Sequence, residues 1–184
     1  MEATEILKAE HRVIERVLAA LETAAGRLAA GQAVDPAFFL QAAEFVKGFA
    51  DGCHHKKEEG VLFPAMEAAG IPAEGGPIAV MLAEHQEGRR LTAVMRAGAE
   101  KLLAGDIAAR ESVTQNALNY VALLRQHIDK EDHVLFPMAD QAIQGSAERQ
   151  VATAFDHVEH EDAGEGVHER FLALAESLER QVAS

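Results

Sequence analysis

The chain has 184 residues, of which 48% are hydrophobic, and its formal net charge at pH 7 is −13. This length fits one compact domain with a sizeable core. The strong negative charge, together with the lack of a long Lys/Arg cluster, argues against binding to nucleic acid or to an anionic membrane. The single cysteine, Cys53, has no partner for an internal disulfide, and the sequence shows neither a signal-peptide pattern nor a membrane-spanning apolar stretch. We therefore expect a soluble cytoplasmic protein.

The hydrophobic pattern predicts an all-α protein, because Ala and Leu are abundant and runs with strand alternation are absent. Asp35-Pro36 indicates an N-cap followed by proline at the first helical position, and Pro64 lies late in the helix that follows, where we expect a local kink. The predicted helices cover, in chain order, roughly 3–28, 36–69, 78–103, 107–143, 147–162 and 167–182. The last two ranges are either parts of one fifth helix or two separate helices, because Gly164 and Gly166 interrupt the pattern.

One sequence block occurs twice, as HHKKEEGVLFPAM at 54–66 and as HIDKEDHVLFPMA at 127–139. Each copy begins with a histidine four residues before a glutamate and continues with Leu-Phe-Pro, and the two copies lie 73 residues apart. A Glu-His pair precedes each block, at 10–11 and at 84–85. The order His, then His-x-x-x-Glu, therefore occurs twice, as His11, His54 and Glu58 and as His85, His127 and Glu131.

Residues four apart on an α-helix point the same way, so each His-x-x-x-Glu pair presents an imidazole and a carboxylate on one face. Burying four histidines and two glutamates in one core is costly unless metal ions take their lone pairs and neutralise the carboxylates. The repeated pattern therefore predicts a two-metal centre inside a bundle of helices.

The duplication also predicts a domain organisation. Two helical-hairpin repeats, at about 3–69 and 77–143, are expected to fold as an up-down-up-down four-helix bundle over residues 1–145, with a turn-rich linker at 70–77. Residues 146–184 are expected to form a C-terminal helical extension. Its apolar stripe at 171–178 either covers the bundle or meets another subunit in a homodimer.

On these residues the chain resembles the hemerythrin-like, HHE cation-binding family, whose members are four-helix bundles with a non-haem di-iron centre. The resemblance covers about residues 5–143. It implies two iron ions, oxo- or hydroxo-bridged, with four histidines as terminal ligands and two glutamates as bridges; by residue type alone Mn or Zn is also possible. The implied ligands are His11, His54, Glu58, His85, His127 and Glu131.

The sequence departs from the oxygen-carrying members of the family, whose third helix bears His-x-x-x-His and whose last ligand is an aspartate. Here Arg89 stands four residues after His85. With two histidines on each metal, both ions would keep an open position, which favours binding and redox processing of O2, peroxide or nitric oxide. A non-enzymatic oxygen or iron sensor or store, and an iron-sulfur repair-type nitric oxide response protein, are the alternatives, so catalase-like or peroxidase-like turnover is left open.

Several polar residues near the motifs are expected to lie off the ligand-bearing face. His55 and Glu59 sit one residue beyond the ligands, and we expect them, like His133, to face a groove or solvent. Glu15, one turn after His11, is an open candidate for an additional ligand. In the tail, His157, His160 and His168 are further candidates, with His157 and Glu161 at a four-residue spacing, although a solvated acidic face is favoured there.

Four uncharged residues also lie near the motifs in the sequence. Phe63 and Phe136 recur with the ligand pairs and are expected to pack in the core, to shield the centre, or both. Cys53 is expected to behave as a small buried hydrophobic residue. Tyr120, two turns before His127, either packs or forms a hydrogen bond near the site.

Overall fold

The computed structural model describes residues 1–159 and 166–183. Every regular element in these two ranges is helical and none is a strand, so the all-α prediction is confirmed. The α-helices are α1 (Glu2–Ala29), α2 (Ala37–Phe45), α3 (Phe63–Ala68), α4 (Pro77–Leu103), α5 (Arg110–Lys130), α6 (Phe136–Ala142), α7 (Ser146–His157) and α8 (Val167–Val182). None of the helices in these ranges combines the length and the apolar character needed to cross a membrane.

Wider, π-helical turns join some of these helices into long segments. Val46–His55 and Glu58–Leu62 connect α2 to α3, and Glu131–Leu135 connects α5 to α6. The four long segments are therefore α1, α2 through α3, α4, and α5 through α6. The kink expected near Pro64 takes the form of such a turn.

The Leu-Phe-Pro sequences account for two of the π-helical turns. The backbone N–H of Phe63 donates to the carbonyl of Glu58, and that of Phe136 donates to the carbonyl of Glu131, five residues back in each case. A proline in the next position has no N–H to donate, and its ring pushes against the carbonyl four residues earlier. A turn with one extra residue relieves that contact, so the repeated proline favours a π-helical turn at each glutamate.

The long segments pack side by side around a shared interior. Helix α1 packs against α5, α5 against α4, α4 against α2, and α2 against α1. The buried apolar side chains form two clusters, one containing Leu18 and Phe49 and the other containing Leu7 and Phe136. Along each long segment the predicted ligands lie where the residues of one cluster are succeeded by those of the other. The candidate site is thus enclosed between two apolar layers.

The two C-terminal helices lie against this assembly. Helix α8 packs on α1 and α2 through buried Phe171, Ala175 and Leu178, and α7 packs on α1 and on the Glu58–Leu62 turn. The apolar stripe of α8 therefore covers helices of its own chain. Arg16, which pairs with Glu179, adds a surface ion pair to this contact.

The contact between Gly48 and α8 can be tested with a pair of glycine substitutions. A Cβ on Gly48 would lie 1.9 Å from Cζ of Phe171, whereas a Cβ on helical Gly26 meets nothing within 4 Å. We expect Gly48→Ala to destabilise the protein by about 1 to 3 kcal/mol through overpacking. Gly26→Ala should instead stabilise it by about 0.5 to 1 kcal/mol, because alanine is the better helix former. Urea unfolding measures both, and equal effects would contradict the close packing of α8.

Candidate metal centre

Seven ionisable side chains meet in the interior between the two apolar clusters. All six predicted ligands are brought together, and His55 joins them. None is more than 3% exposed: His11, His54, His55, Glu58, His85, His127 and Glu131. Such a group is costly to bury unless its charges compensate one another or bind metal.

The side chains form two clusters with metal-ligating potential. One contains His11, His54, Glu58 and Glu131, and the other contains His55, Glu58, His85 and His127. Within each cluster one ligand atom from every residue lies within 4.8 Å of the others. Because Glu58 belongs to both, the two clusters are adjacent parts of one site.

The distances between imidazole nitrogens fit metal coordination. Nε2 of His11 lies 3.0 Å from Nε2 of His54, and Nε2 of His85 lies 3.1 Å from Nε2 of His127. Two nitrogens bound at about 2.1 Å from one ion, at a right angle, would be about 3.0 Å apart. Each histidine pair is therefore spaced as two neighbouring ligands of one ion.

Both glutamates face the two clusters at once. Glu131 places Oε2 3.2 Å from His11 Nε2 and Oε1 3.2 Å from His127 Nε2. Glu58 places Oε1 3.5 Å from His54 Nε2 and Oε2 3.4 Å from His85 Nε2. Among the described residues, none of these four oxygens has a partner in hydrogen-bond geometry. A carboxylate with one oxygen toward each cluster is arranged as a bridge between two cations.

A carboxylate fixes the orientation of every imidazole in the site. Each histidine donates a hydrogen bond from Nδ1, which leaves Nε2 directed toward the centre. The five bonds are His11 to Asp132 (2.8 Å), His54 to Glu10 (3.0 Å), His55 to Asp51 (2.9 Å), His85 to Glu59 (2.7 Å) and His127 to Glu84 (2.9 Å). Glu59, which is expected from the sequence to face a groove or solvent as a non-ligand, is partly exposed and holds the ligand-type His85 in place.

These orienting carboxylates were missed by reasoning from the sequence, although the sequence carries a signal for four of them. Glu10 and Glu84 each precede a predicted histidine ligand, while Glu59 and Asp132 each follow a predicted glutamate ligand. Each pair therefore recurs in the two repeats. Asp51 has no acidic counterpart in the second repeat, so recurrence gives no signal for it.

Each orienting carboxylate is in turn bound by a cationic side chain. Asp132 pairs with Arg12, and Glu84 with Lys130. Lys57 donates to Glu10 at 2.6 Å and also to Glu159, at the end of α7, at 3.0 Å. Arg89 serves the remaining two carboxylates, Glu59 and Asp51. The site is therefore surrounded by charges that alternate in sign outward from the centre.

The proton affinities of the central groups reflect this arrangement. Burial alone would lower the pKa of His11, but its contacts with Asp132 and Glu131 raise that pKa to about 9. Burial would also lower the pKa of His127, but its contacts with Glu131 and Glu84 raise that pKa to about 10. Burial would raise the pKa of Glu131, yet His127 and His11 hold it well below its usual range. Buried Glu131 is therefore an anion that requires positive charge beside it, from protonated histidines or from metal ions.

His55 corrects the expectation from sequence, which placed it toward a groove or solvent. Its ring stacks on that of His85, with centroids 3.8 Å apart and planes inclined by 19°, and its Nε2 has no hydrogen-bond partner among the described residues. Adjacent His54 and His55 both face the interior, as His127 and Ile128 do on α5, because a packed helix buries a face of about 100° or more that neighbouring residues can share. In the second repeat the equivalent residue is the buried Ile128, so repetition gives no signal for His55.

Aromatic side chains cover the histidines. The ring of Phe63 stacks on His85 at 6.1 Å between centroids, and that of Phe136 stacks on His11 at 5.4 Å. Tyr120 is buried beside His85 and His127, and its hydroxyl has no hydrogen-bond partner among the described residues. The two phenylalanines therefore pack in the core and shield the site at the same time.

The remaining candidates lie away from the site. Glu15 is paired with Arg12 at the surface, His133 is exposed, and His168 lies against Phe49. Cys53 is buried, and burial raises the pKa of its thiol, as expected for a small buried residue. His157 lies on α7 beside a surface pocket, whereas His160 and Glu161 lie outside the described residues.

An all-helical protein with a buried cluster of histidines and carboxylates is a candidate metal-binding protein. The sequence matches the Hemerythrin family, described as the hemerythrin HHE cation binding domain, over residues 2–139. The chain therefore belongs to the hemerythrin HHE cation-binding family. It is also 27% identical over 180 residues to the uncharacterized proteins Rv1995 of Mycobacterium tuberculosis (strain H37Rv) and Mb2018 of Mycobacterium bovis, an alignment that covers 98% of this chain and 70% of each relative. No solved structure matches it.

Lys57 and Lys130 occupy equivalent positions in the two repeats and provide a matched test of the buried charge network. The side chain of Lys57 is 0% exposed and that of Lys130 is 37% exposed. We expect Lys57→Met to destabilise the metal-free protein by about 3 to 5 kcal/mol, because Glu10 and Glu159 lose a buried cationic partner. Lys130→Met should cost about 1 kcal/mol or less. Urea unfolding compares the two, and a similar loss in both variants would contradict a special role for buried Lys57.

Proposed function

We propose that this protein is a hemerythrin-like di-iron protein that binds and redox-processes a small oxidant, namely O2, peroxide or nitric oxide. The observation that carries the proposal is the pair of carboxylates, Glu58 and Glu131, each placed between histidines of both clusters. The proposed fold is an up-down-up-down four-helix bundle of two hairpin repeats, at about 3–69 and 77–143. Residues 146–184 are assigned in this proposal to a C-terminal helical extension, whose described helices α7 and α8 contact the long segments.

The proposed ligand set contains the six residues predicted from sequence and His55. His11 and His54 would hold one ion, and His55, His85 and His127 would hold the other. Glu58 and Glu131 would bridge the two ions. The unpaired oxygens of both glutamates and the unpaired Nε2 of His55 support this assignment, since buried polar atoms rarely lack a partner.

The donor set suits iron, because imidazole and carboxylate together accept a redox-active first-row metal in either of two oxidation states. Bound iron would supply electrons to reduce the small ligand or accept electrons from it. The chain supplies the environment for that chemistry. Its apolar layers and the rings of Phe63 and Phe136 exclude bulk water, and the carboxylates at Nδ1 make each imidazole a stronger donor.

The two proposed ions have different surroundings. The cluster of His55, His85 and His127 offers three imidazoles, and the cluster of His11 and His54 offers two. This replaces the symmetric arrangement expected from sequence, in which each metal had two histidines. The small ligand would bind on the side of His11 and His54, where fewer imidazoles lie beside it.

The ligand assignment predicts distinct metal contents for three variants. Glu58→Ala should lose both ions, because Glu58 serves both clusters. His55→Ile introduces the residue found at the equivalent position 128. It should weaken the binding of one ion by about tenfold or more and leave the other ion bound. Elemental analysis and competition with a chelator measure both effects. The exposed His133 provides the control, since His133→Ala should keep two ions per chain.

Two results would contradict this assignment. Retention of both ions by Glu58→Ala would remove the shared bridge and with it the two-metal centre. Unchanged affinity in His55→Ile would restrict the ligands to the six residues predicted from sequence.

Turnover of the small oxidant is tested separately with iron-loaded protein. If peroxide is the substrate, two molecules of hydrogen peroxide should yield one O2 and two water molecules, which an oxygen electrode detects. In parallel, anaerobically reduced protein is mixed with O2 or nitric oxide, and consumption is followed together with the ultraviolet-visible spectrum. Glu58→Ala with the same added iron is the control. A reversible spectral change without consumption of any of the three would contradict redox processing and favour a sensor or store.

A further inference from the structure

Arg89 contacts two of the orienting carboxylates, which come from different parts of the helical segment that carries His54. Its Nε donates to Oδ1 of Asp51 at 3.2 Å, and its Nη2 donates to Oε1 of Glu59 at 2.6 Å. Asp51 lies in the π-helical segment Val46–His55, and Glu59 lies in the following one, Glu58–Leu62. A single guanidinium on α4 therefore spans the two π-helical turns of the neighbouring segment.

The same two oxygen atoms hold two histidines of the three-imidazole cluster. Oδ1 of Asp51 also accepts the Nδ1–H of His55 at 2.9 Å, and Oε1 of Glu59 accepts the Nδ1–H of His85 at 2.7 Å. Since the rings of His55 and His85 stack on each other, the contacts form a closed loop. Moving either imidazole would break a bond to a carboxylate that Arg89 also holds.

We propose that Arg89 is a positioning residue that fixes His55 and His85 as one pair of metal ligands by binding the carboxylates of Asp51 and Glu59. This inference rests on the proposed two-metal centre and adds to it the part of the chain that sets the geometry of one ion. Arg89 touches neither ion itself. It acts through the two carboxylates.

The chemistry of the guanidinium explains why an arginine suits this position. Its planar, rigid fork of N–H donors binds two acceptors at fixed positions, whereas a lysine ammonium is a compact point charge on a flexible stem. Asp51 and Glu59 are 21% and 29% exposed, so without Arg89 both carboxylates could turn toward water. Their histidines would then lose a fixed orientation.

The effect should be confined to one ion, because among the described residues no cationic side chain at the other cluster binds two orienting carboxylates. The position in the first repeat that corresponds to Arg89 is Glu15, which pairs with Arg12 at the surface. On that side Arg12 binds a single orienting carboxylate, Asp132. The inference therefore predicts a site-specific change, which a general loss of stability would not produce.

The test compares Arg89→Gln with Arg90→Gln in the full-length chain. Arg90 is the next residue, is exposed and pairs with Glu87 away from the site, so it is a matched control. Both variants are titrated with Co(II), whose visible absorption reports ligand geometry, and are loaded with ⁵⁷Fe for Mössbauer spectroscopy. We expect Arg89→Gln to weaken the binding of one of the two ions by about 10- to 100-fold and to alter one of the two Mössbauer signals of iron. Arg89→Lys should restore only part of the affinity, and Arg90→Gln should match the unaltered protein.

A second comparison keeps the test informative if Arg89→Gln folds poorly. Asp51→Asn removes one carboxylate of the loop, and the combination of Asp51→Asn with Arg89→Lys is compared with each single change. Because both act on His55 through the same contact, the combined loss of affinity should be smaller than the product of the two separate losses. Independent, multiplicative losses would overturn the proposal.

The outcomes distinguish this inference from the proposed function. If the unaltered chain binds no metal, the proposed two-metal centre fails. If it binds two ions and Arg89→Gln binds both with unchanged affinity and unchanged spectra, the centre stands and the positioning role of Arg89 is wrong. Equal weakening of both ions would also overturn that role.

Discussion

The burial of Glu58 and Glu131 is the constraint on which the rest of the structure depends. Neither carboxylate is exposed, and among the described residues neither has a hydrogen-bond donor in proper geometry. An isolated buried carboxylate costs several kcal/mol, so positive charge must lie beside both. Five imidazoles from all four long segments surround the two carboxylates, and the charge comes from protonated His11 and His127, whose pKa values are raised, or from bound metal. The two apolar clusters on either side of this layer remove water and thereby make each of these electrostatic contacts stronger.

The outer contacts follow from the same electrostatic requirement. An imidazole that faces an anion with Nε2 must place its Nδ1–H against an acceptor, and in this protein the acceptor is always a carboxylate. Those carboxylates are themselves partly buried, so each has a lysine or arginine beside it. The duplicated sequence reproduces most of these contacts, because both helical hairpins carry the same residue types at equivalent positions. His54 with Glu10 and Lys57 in the first repeat corresponds to His127 with Glu84 and Lys130 in the second.

Site residues that recur in both repeats are predictable from the sequence, and site residues without a counterpart are not. Six side chains at the site are predictable because their spacing occurs twice, whereas the glycines at 164 and 166 leave open whether the C-terminal extension is one helix or two. The expected position of His55 is wrong, because its counterpart in the second repeat, Ile128, is not a ligand-type residue and gives no signal for it. Leu-Phe-Pro signals the turn at Glu58–Leu62, and not the segment Val46–His55 that carries His55. Side-chain pairings across helices, such as Arg89 with Asp51, depend on distances that no local pattern encodes.

The differences between the repeats assign different environments to the two halves of the site. His55 and Arg89 both lie in the half with three imidazoles. Their counterparts in the other repeat are Ile128 and Glu15, so each of the two residues adds contacts that the other repeat lacks. The half with two imidazoles has instead a fully buried Lys57, because α7 and Glu159 cover that side. A chain of hydrogen bonds runs from Glu159 through Lys57 and Glu10 to His54. Glu159, just after α7, is therefore linked through Lys57 and Glu10 to the cluster that has fewer histidines. This is the side where the proposed oxidant would bind.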